Sequence, residues 1–288
     1  MNAYPMHYSQ AGARVPPTIV DTAARGNPCS SCFHRRNCLP AALPEGEEGA
    51  LQRMYSGIVR VRKGATLFES GTVPHKVYVV HTGSFKSVMS MADGRQRIVA
   101  FHEPGDIMGL EGFSGLSRAD VVALEPSESC EIDLRALEDT AARVPALQRH
   151  LRRLMGASLV QAQQDQFALG SMLVKERLAR FLLNLSAKYR ARGLAYDEFT
   201  LRMTREDIGD YLGFRLETVS RVFSELQHDG LIALNRRLVR IVDRPALSAL
   251  LDPKFAMDWK PSARTELPVR RDPPPRAASW SALGAAGG

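Results

Sequence analysis

Residues 204–226, TREDIGDYLGFRLETVSRVFSEL, decide how the rest of the chain is read. The run opens on Thr204-Arg-Glu-Asp207. There a hydroxyl can accept an amide proton at a helix start, and the carboxylate three residues on favours that end of the helix dipole. A first helix is expected to reach about Tyr211. Leu212-Gly213-Phe214 then makes a tight turn, with Gly213 in a backbone conformation that a Cβ resists. A second helix is expected from about Leu216 to Asp229, with Leu216, Val219, Val222, Phe223 and Leu226 inward. Glu217, Thr218, Ser220, Arg221 and Ser224 are left outward, the first four clustered at the helix N-terminal end. In a helix-turn-helix that end enters the major groove of DNA. Arg can reach guanine O6 and N7 there, Glu can accept from cytosine N4, and Ser adapts to either role. Downstream, Ile232-Ala-Leu234, a turn at Asn235-Arg236-Arg237 and Leu238–Val242 read as a two-stranded wing able to touch phosphates.

Working back from this element, helical spacing continues to Pro145. Leu147, Leu151 and Leu154, then Leu159, Ala162, Gln166, Leu169 and Leu173 step by three or four with one offset. This fits a core helix lying on its own barrel or, as its length and the polar Gln166 favour, a long seam between two subunits. A further helix over about 174–190 follows it. From Ile58 to Leu134 the pattern changes to short β runs. These are Val59–Val61, Val77–Val80, Lys86–Met89, Gln96–Val99 and Cys130–Ile132, with glycines between them and a hairpin signal at Asp93-Gly94. Closely spaced short strands of this kind predict a sandwich or jelly-roll barrel. The fold class expected is α+β: a β jelly roll, a long helix and a winged helix-turn-helix.

The N-terminal segment carries different chemistry. Three of the four cysteines are spaced Cys29-x2-Cys32-x5-Cys38, and the fourth is Cys130. Thiolates ligate soft metals, and four suffice to close a zinc ion or an iron–sulfur cluster. Zinc ribbons prefer two close pairs, which this spacing does not supply. Zinc on the same thiols, in a constitutively DNA-binding regulator, is the alternative reading. His34 reads as a solvated loop residue, since four thiolates already suffice. Phe33 follows a ligand in a loop where no core demands it. Its ring either anchors the loop on the barrel or shields a bound cofactor from water and oxygen.

Composition sets the bounds. The 288 residues, 44% of them hydrophobic, can bury two domains and leave tails. No apolar run approaches membrane-spanning length, and the first 25 residues lack the pattern of a secretory signal. A cytoplasmic location is therefore expected, where thiols favour metal or redox roles over disulfides. The net charge of +7 suits a nucleic-acid partner. No nucleophile elbow, P-loop or His-rich metal triad is present, so an enzyme is not expected. The expected divisions are a mobile arm (1–25), a cysteine loop (26–40), the jelly roll (41–144), a dimerisation helix (145–171), the winged helix-turn-helix (172–252) and a disordered tail (253–288).

Over about residues 26–250 these features resemble the FNR (fumarate–nitrate-reduction) branch of the cyclic-AMP receptor and FNR superfamily of transcription factors. The resemblance rests on Cys29, Cys32, Cys38 and the distal Cys130, and on Glu217-Thr-Val-Ser220-Arg221 in the second helix. It implies a cyclic-nucleotide-binding-like jelly roll and a 4Fe–4S cluster on the four thiolates that sustains a DNA-binding homodimer and is destroyed by oxygen. It further implies a double-stranded operator resembling TTGAT-N4-ATCAA, read by Glu217, Ser220 and Arg221 with Thr204, Thr218, Arg215 and Arg236 nearby, and RNA polymerase as a further partner. Arg215 stands where a Ser or Thr would cap the recognition helix, which suits a phosphate contact. Ala162 stands where oxygen-sensing relatives carry an acid near the seam. The sister branch needs an acidic ribose contact and an Arg-Ser phosphate pair. Leu110 and Asp120-Val121 occupy those places here, so no cyclic nucleotide is expected.

Overall fold

The computed structural model describes residues 18–20, 29, 32–35, 38–44 and 46–252. The expected tail (253–288) and most of the expected arm lie outside the described residues. Within the arm, Thr18–Val20 forms a strand (β1). Its register on the barrel is antiparallel, with Ile19 opposite Val59.

The barrel follows from alternation. A short helix α1 (Glu48–Met54) leads into β2 (Tyr55–Val61), then β3 (Thr66–Phe68), β4 (Lys76–Thr82), β5 (Phe85–Ser90), β6 (Gln96–His102), β7 (Ile107–Met108), β8 (Asp120–Ala123) and β9 (Ser127–Asp133). Two antiparallel sheets, ordered β1-β2-β9-β4-β7 and β3-β8-β5-β6, face each other as a jelly roll. Val59, Val61, Leu67, Val80, Phe85, Met108 and Val121 fill the space between them, because every second side chain of a strand points to the same face. The Asp93-Gly94 hairpin forms as expected, with Gly94 at φ 87°. Three short strands, β3, β7 and β8, escaped the sequence reading because runs of two to four residues barely register as periodicity.

Helix α2 (Leu134–Arg143) starts where Asp133 accepts from the Ala136 amide at 2.7 Å. Helix α3 (Pro145–Ser171) has the length expected of the long seam helix but not one continuous seam. Leu147 and Leu151 are buried against the α1, α2 and β4–β9 cluster of their own barrel. Only beyond them are Leu159, Val160, Phe167 and Leu169 exposed. Leu173 lies past the helix end, as N-cap of α4 (Val174–Ala191), and is exposed rather than seamed.

The C-terminal unit contains β10 (Glu198–Thr200), α5 (Arg205–Leu212), α6 (Leu216–His228), β11 (Ile232–Asn235), β12 (Leu238–Ile241) and α7 (Arg244–Ala249). Its wing has three strands, β10-β12-β11, instead of the two expected. The three-residue β10 is too short to read locally and pairs with β12 across the whole helix-turn-helix, with Phe199 opposite Val239.

Partly buried polar contacts tie the two units together. Asp165 of α3 accepts from Arg180 at 2.8 Å and from the Tyr211 hydroxyl at 2.9 Å, linking the long helix to α4 and α5. At the β6–β7 turn, Asp106 accepts from Lys188 at 2.9 Å and from Arg192 at 2.5 Å. Burial would raise the Asp106 pKa, but those two cations hold it well below the usual carboxylate range. Its neighbour Glu103 is buried and accepts from the Tyr189 hydroxyl. Burial, with Asp106 adding to it, pushes Glu103 up to about 7.

Candidate metal centre and nucleic-acid interface

The four cysteines, separated in sequence, line one cavity. Cys29, Cys32 and Cys38 come from the N-terminal loop, where a 3-10 helix (Leu39–Ala42) begins directly after Cys38. Cys130 lies in mid-strand on β9, opposite Val79 of β4 and Ile58 of β2. Cys130 and Ile132 share one face of β9, and Val79 and His81 share the adjoining face of β4; all four line the cavity with Leu51 of α1. The sheet register thus builds one wall and the cysteine loop the other. The thiols also border the apolar cluster that receives Leu147 and Leu151 of α3, so the cavity and the root of the long helix are one packed body.

None of the four cysteines forms a disulfide. Burial, followed by the neighbouring Cys32, raises the Cys29 thiol to about 11, against a smaller opposing pull from Arg35. Burial, followed by Cys29, raises Cys38 to about 12, and burial beside the other three thiols raises Cys130 further. Thiols this reluctant to ionise need a metal cation to become thiolates, so loading would release protons. Among the described residues no three His, Cys, Asp or Glu side chains converge on one ion. The described lining holds thiols, two imidazoles and Arg35 but no carboxylate, a donor set suited to a soft metal centre.

Two lining residues went unrecognised in the sequence. His34, expected to be solvated, is half-buried and lines the cavity, with its ring centroid 6.4 Å from that of His81. Burial, then His81 and Arg192, lowers its pKa. His81 lies with Nδ1 3.8 Å from the Cys32 sulfur. A period-two reading of β4 would have placed His81 beside Val79, but only the sheet register sets Val79 against Cys130. Phe33 is corrected: it is 68% exposed, absent from the cavity lining and edge-on to His34 with centroids 5.4 Å apart. That exposure does not fit an anchor buried in a core.

The helix-turn-helix follows its sequence signals closely. Thr204 caps α5 in a box with Asp207: its hydroxyl accepts from the Asp207 amide at 3.0 Å and donates to the Asp207 carboxylate at 2.7 Å. The Thr204 side chain, expected near the DNA, is engaged in capping the helix. Gly213 sits at φ 80°. Gly209 matters as much and was missed, because a Cβ there would lie 2.6 Å from the Phe214 carbonyl oxygen. On α6, Val219, Val222, Phe223 and Leu226 are buried. Leu216, expected inward, is 45% exposed, since the first turn overhangs the core. Glu217, Ser220, Arg221 and Ser224 are exposed along one side, with Thr218 half-buried beside them. Arg215 caps α6 in position but without a side-chain cap bond. Arg236 stands at the wing tip with φ 55° and its side chain exposed.

Comparison with known proteins sets this arrangement in a family. A family model of the Crp-like helix-turn-helix domain matches residues 176–250, and one of the cyclic nucleotide-binding domain matches residues 58–143. The chain is 42% identical over 224 residues to the transcriptional regulatory protein btr of Bordetella pertussis, covering 77% of this chain and 93% of that one. It is 34% identical to the fumarate and nitrate reduction regulatory protein of Salmonella typhimurium, covering 77% and 89%. The chain belongs to the FNR branch of the Crp/FNR superfamily. Among solved structures, FixK2 of Bradyrhizobium japonicum matches with a TM-score of 0.62 and 33% identity, over 67% of this chain and 96% of that one. This family member is a transcription regulator that binds DNA through its helix-turn-helix; its relatives are regulators, not enzymes. Among the described residues no helix is long and apolar enough to cross a membrane.

Proposed function

We propose that this regulator holds a 4Fe–4S cluster on Cys29, Cys32, Cys38 and Cys130, and that the cluster sustains a homodimer on a palindrome resembling TTGAT-N4-ATCAA until oxygen destroys it. The observation that carries the reading is the shared cavity: a loop triad and a strand cysteine brought together from opposite ends of the sensor unit. Four thiols lining one cavity suit four irons, one thiolate to each. The cluster would supply a redox-sensitive cross-link between the N-terminal loop and β9, beside the apolar seat of α3. The chain then divides into the cysteine loop (26–40), jelly roll (41–144), dimerisation helix (145–171) and winged helix-turn-helix (172–252). Exposed Leu159, Val160, Phe167 and Leu169 form the surface that a second copy would cover. Glu217, Ser220 and Arg221 read bases, with Thr218 beside them, while Arg215 and Arg236 grip phosphates. RNA polymerase is the partner to which the bound dimer presents itself, in the cytoplasm.

Anaerobic purification with iron and sulfide assays, followed by operator binding before and after air, tests this reading. Brown protein with equal iron and sulfide, losing operator affinity in air, is the expected result. Colourless, zinc-containing protein that binds equally in air would replace it with the zinc alternative.

A further inference from the structure

His81 is an imidazole fixed on the barrel wall beside a cysteine that belongs to the loop. It sits in β4 at the register shift between Val80 and Thr82, with both of those neighbours paired to β9. Its side chain lines the thiol cavity together with that of Val79. There its Nδ1 lies 3.8 Å from the Cys32 sulfur, within reach of the longer hydrogen bond that sulfur accepts. The His34 ring stands edge-on to it, which closes the same side of the cavity.

We propose that His81 is a positioning residue for the metal centre: its Nδ1–H donates to the Cys32 sulfur, fixing that ligand and tuning the bound cluster. The proposal rests on the 4Fe–4S reading above. The sequence places Cys32 in a loop, where a thiolate is free to turn away, and the hydrogen bond ties it to the barrel wall. Donation to a ligand sulfur also withdraws charge from it, which favours the more negative state of a cluster and raises its reduction potential. Bulk alone would do neither, so a donor of similar reach and an apolar side chain of similar size should differ.

The test uses the full chain, loaded anaerobically, as wild type, His81→Asn and His81→Leu. The Asn amide nitrogen can take the place of Nδ1, whereas Leu has no donor. Iron and sulfide per chain and the midpoint potential, followed by visible absorbance, are the readouts. Wild type and H81N are expected to share one potential, with H81L clearly lower and bleached several-fold faster by ferricyanide. An H81L potential equal to wild type would overturn the hydrogen bond, as would an H81N potential that falls with H81L. If H81L takes up no iron, loading of H81N supports the donor role, and failure of both shows that His81 merely packs. Wild-type protein without iron and sulfide would sink the cluster reading itself and this proposal with it, an outcome distinct from any variant effect.

Discussion

The recognition element and the thiol cavity are built in opposite ways. The first is contiguous: cap, helix, turn glycine and second helix follow one another between Thr204 and His228. The second is assembled from a loop, two strands and a helix, and Cys130 meets the loop cysteines only because β9 lies between β2 and β4. A contiguous element carries its own geometry, so a change in it should act locally. An assembled site depends on several segments at once, so a change at one ligand should propagate to the fold around it.

The harshest test of that contrast is Cys130→Ser. A hydroxyl is a poor iron ligand, and three thiolates would leave one iron open. The variant is expected to lose iron and sulfide and to bind the operator little better than random DNA, a fall of roughly 10³-fold or more. Full iron content with full anaerobic affinity would show that the cavity is not a four-thiolate site.

The contiguous element should respond more narrowly. Arg221 is 70% exposed and stands 3.8 Å from Glu225 one turn on, so its guanidinium is available to a base. Arg221→Ala is expected to cost about 1–3 kcal/mol for each bidentate guanine contact, and only on operator DNA. Arg236→Ala at the wing tip should weaken binding to all sequences alike and flatten the salt dependence. Titrations of specific and random duplexes at two salt concentrations separate the two. Equal losses on both duplexes for Arg221→Ala would remove it from base reading.

How much of each region was legible follows from the same contrast. The α5–α6 unit could be read almost residue by residue because caps, φ-positive glycine and 3.6-residue spacing are local signals. It failed at Leu216, whose burial depends on what lies beneath the first turn, and at Gly209, whose need for hydrogen comes from a through-space approach of Phe214. In the cavity the ligand types were legible and their surroundings were not. His34, His81 and Phe33 look interchangeable as single loop or strand residues, and only the fold turns two of them inward and one outward. Likewise α3 showed one apolar stripe, yet Leu147 and Leu151 face their own barrel while Phe167 and Leu169 do not.

The joint between the two units, invisible as a motif, offers a pH-dependent test. Glu103, facing Asp106, Lys188, Tyr189 and Arg192, is raised from its ordinary 4.5 to about 7. The folded state therefore binds more protons between those values, and this group's contribution to stability is lost as pH rises through them. His102, held on Ser87 at 2.7 Å, is lowered by desolvation to about 4. Its contribution runs the other way and is lost as pH falls below about 6.5. The two slopes oppose each other in the native chain. Glu103→Gln removes one of them, so its stability relative to wild type should climb from pH 4.5 to 7, by up to about 3 kcal/mol. Denaturant midpoints across that range would show it, and a flat difference would mean that Glu103 is ionised in the fold.

The smallest expected effect is at Phe33, where the sequence had suggested one of the more interesting. Its ring is mostly exposed, so replacing it with Ser returns little apolar surface to water. The contact it would lose is the edge-on packing against His34, a ring already held in place beside His81 and Gly105. Phe33→Ser should therefore shift stability by less than about 0.5 kcal/mol. It should also load iron normally and bleach in air at the wild-type rate per cluster. His34→Ala, which opens the wall that the structure does place over the thiols, should bleach faster in the same assay. If Phe33→Ser bleaches faster and His34→Ala does not, the phenyl ring and not the imidazole limits access to the cluster.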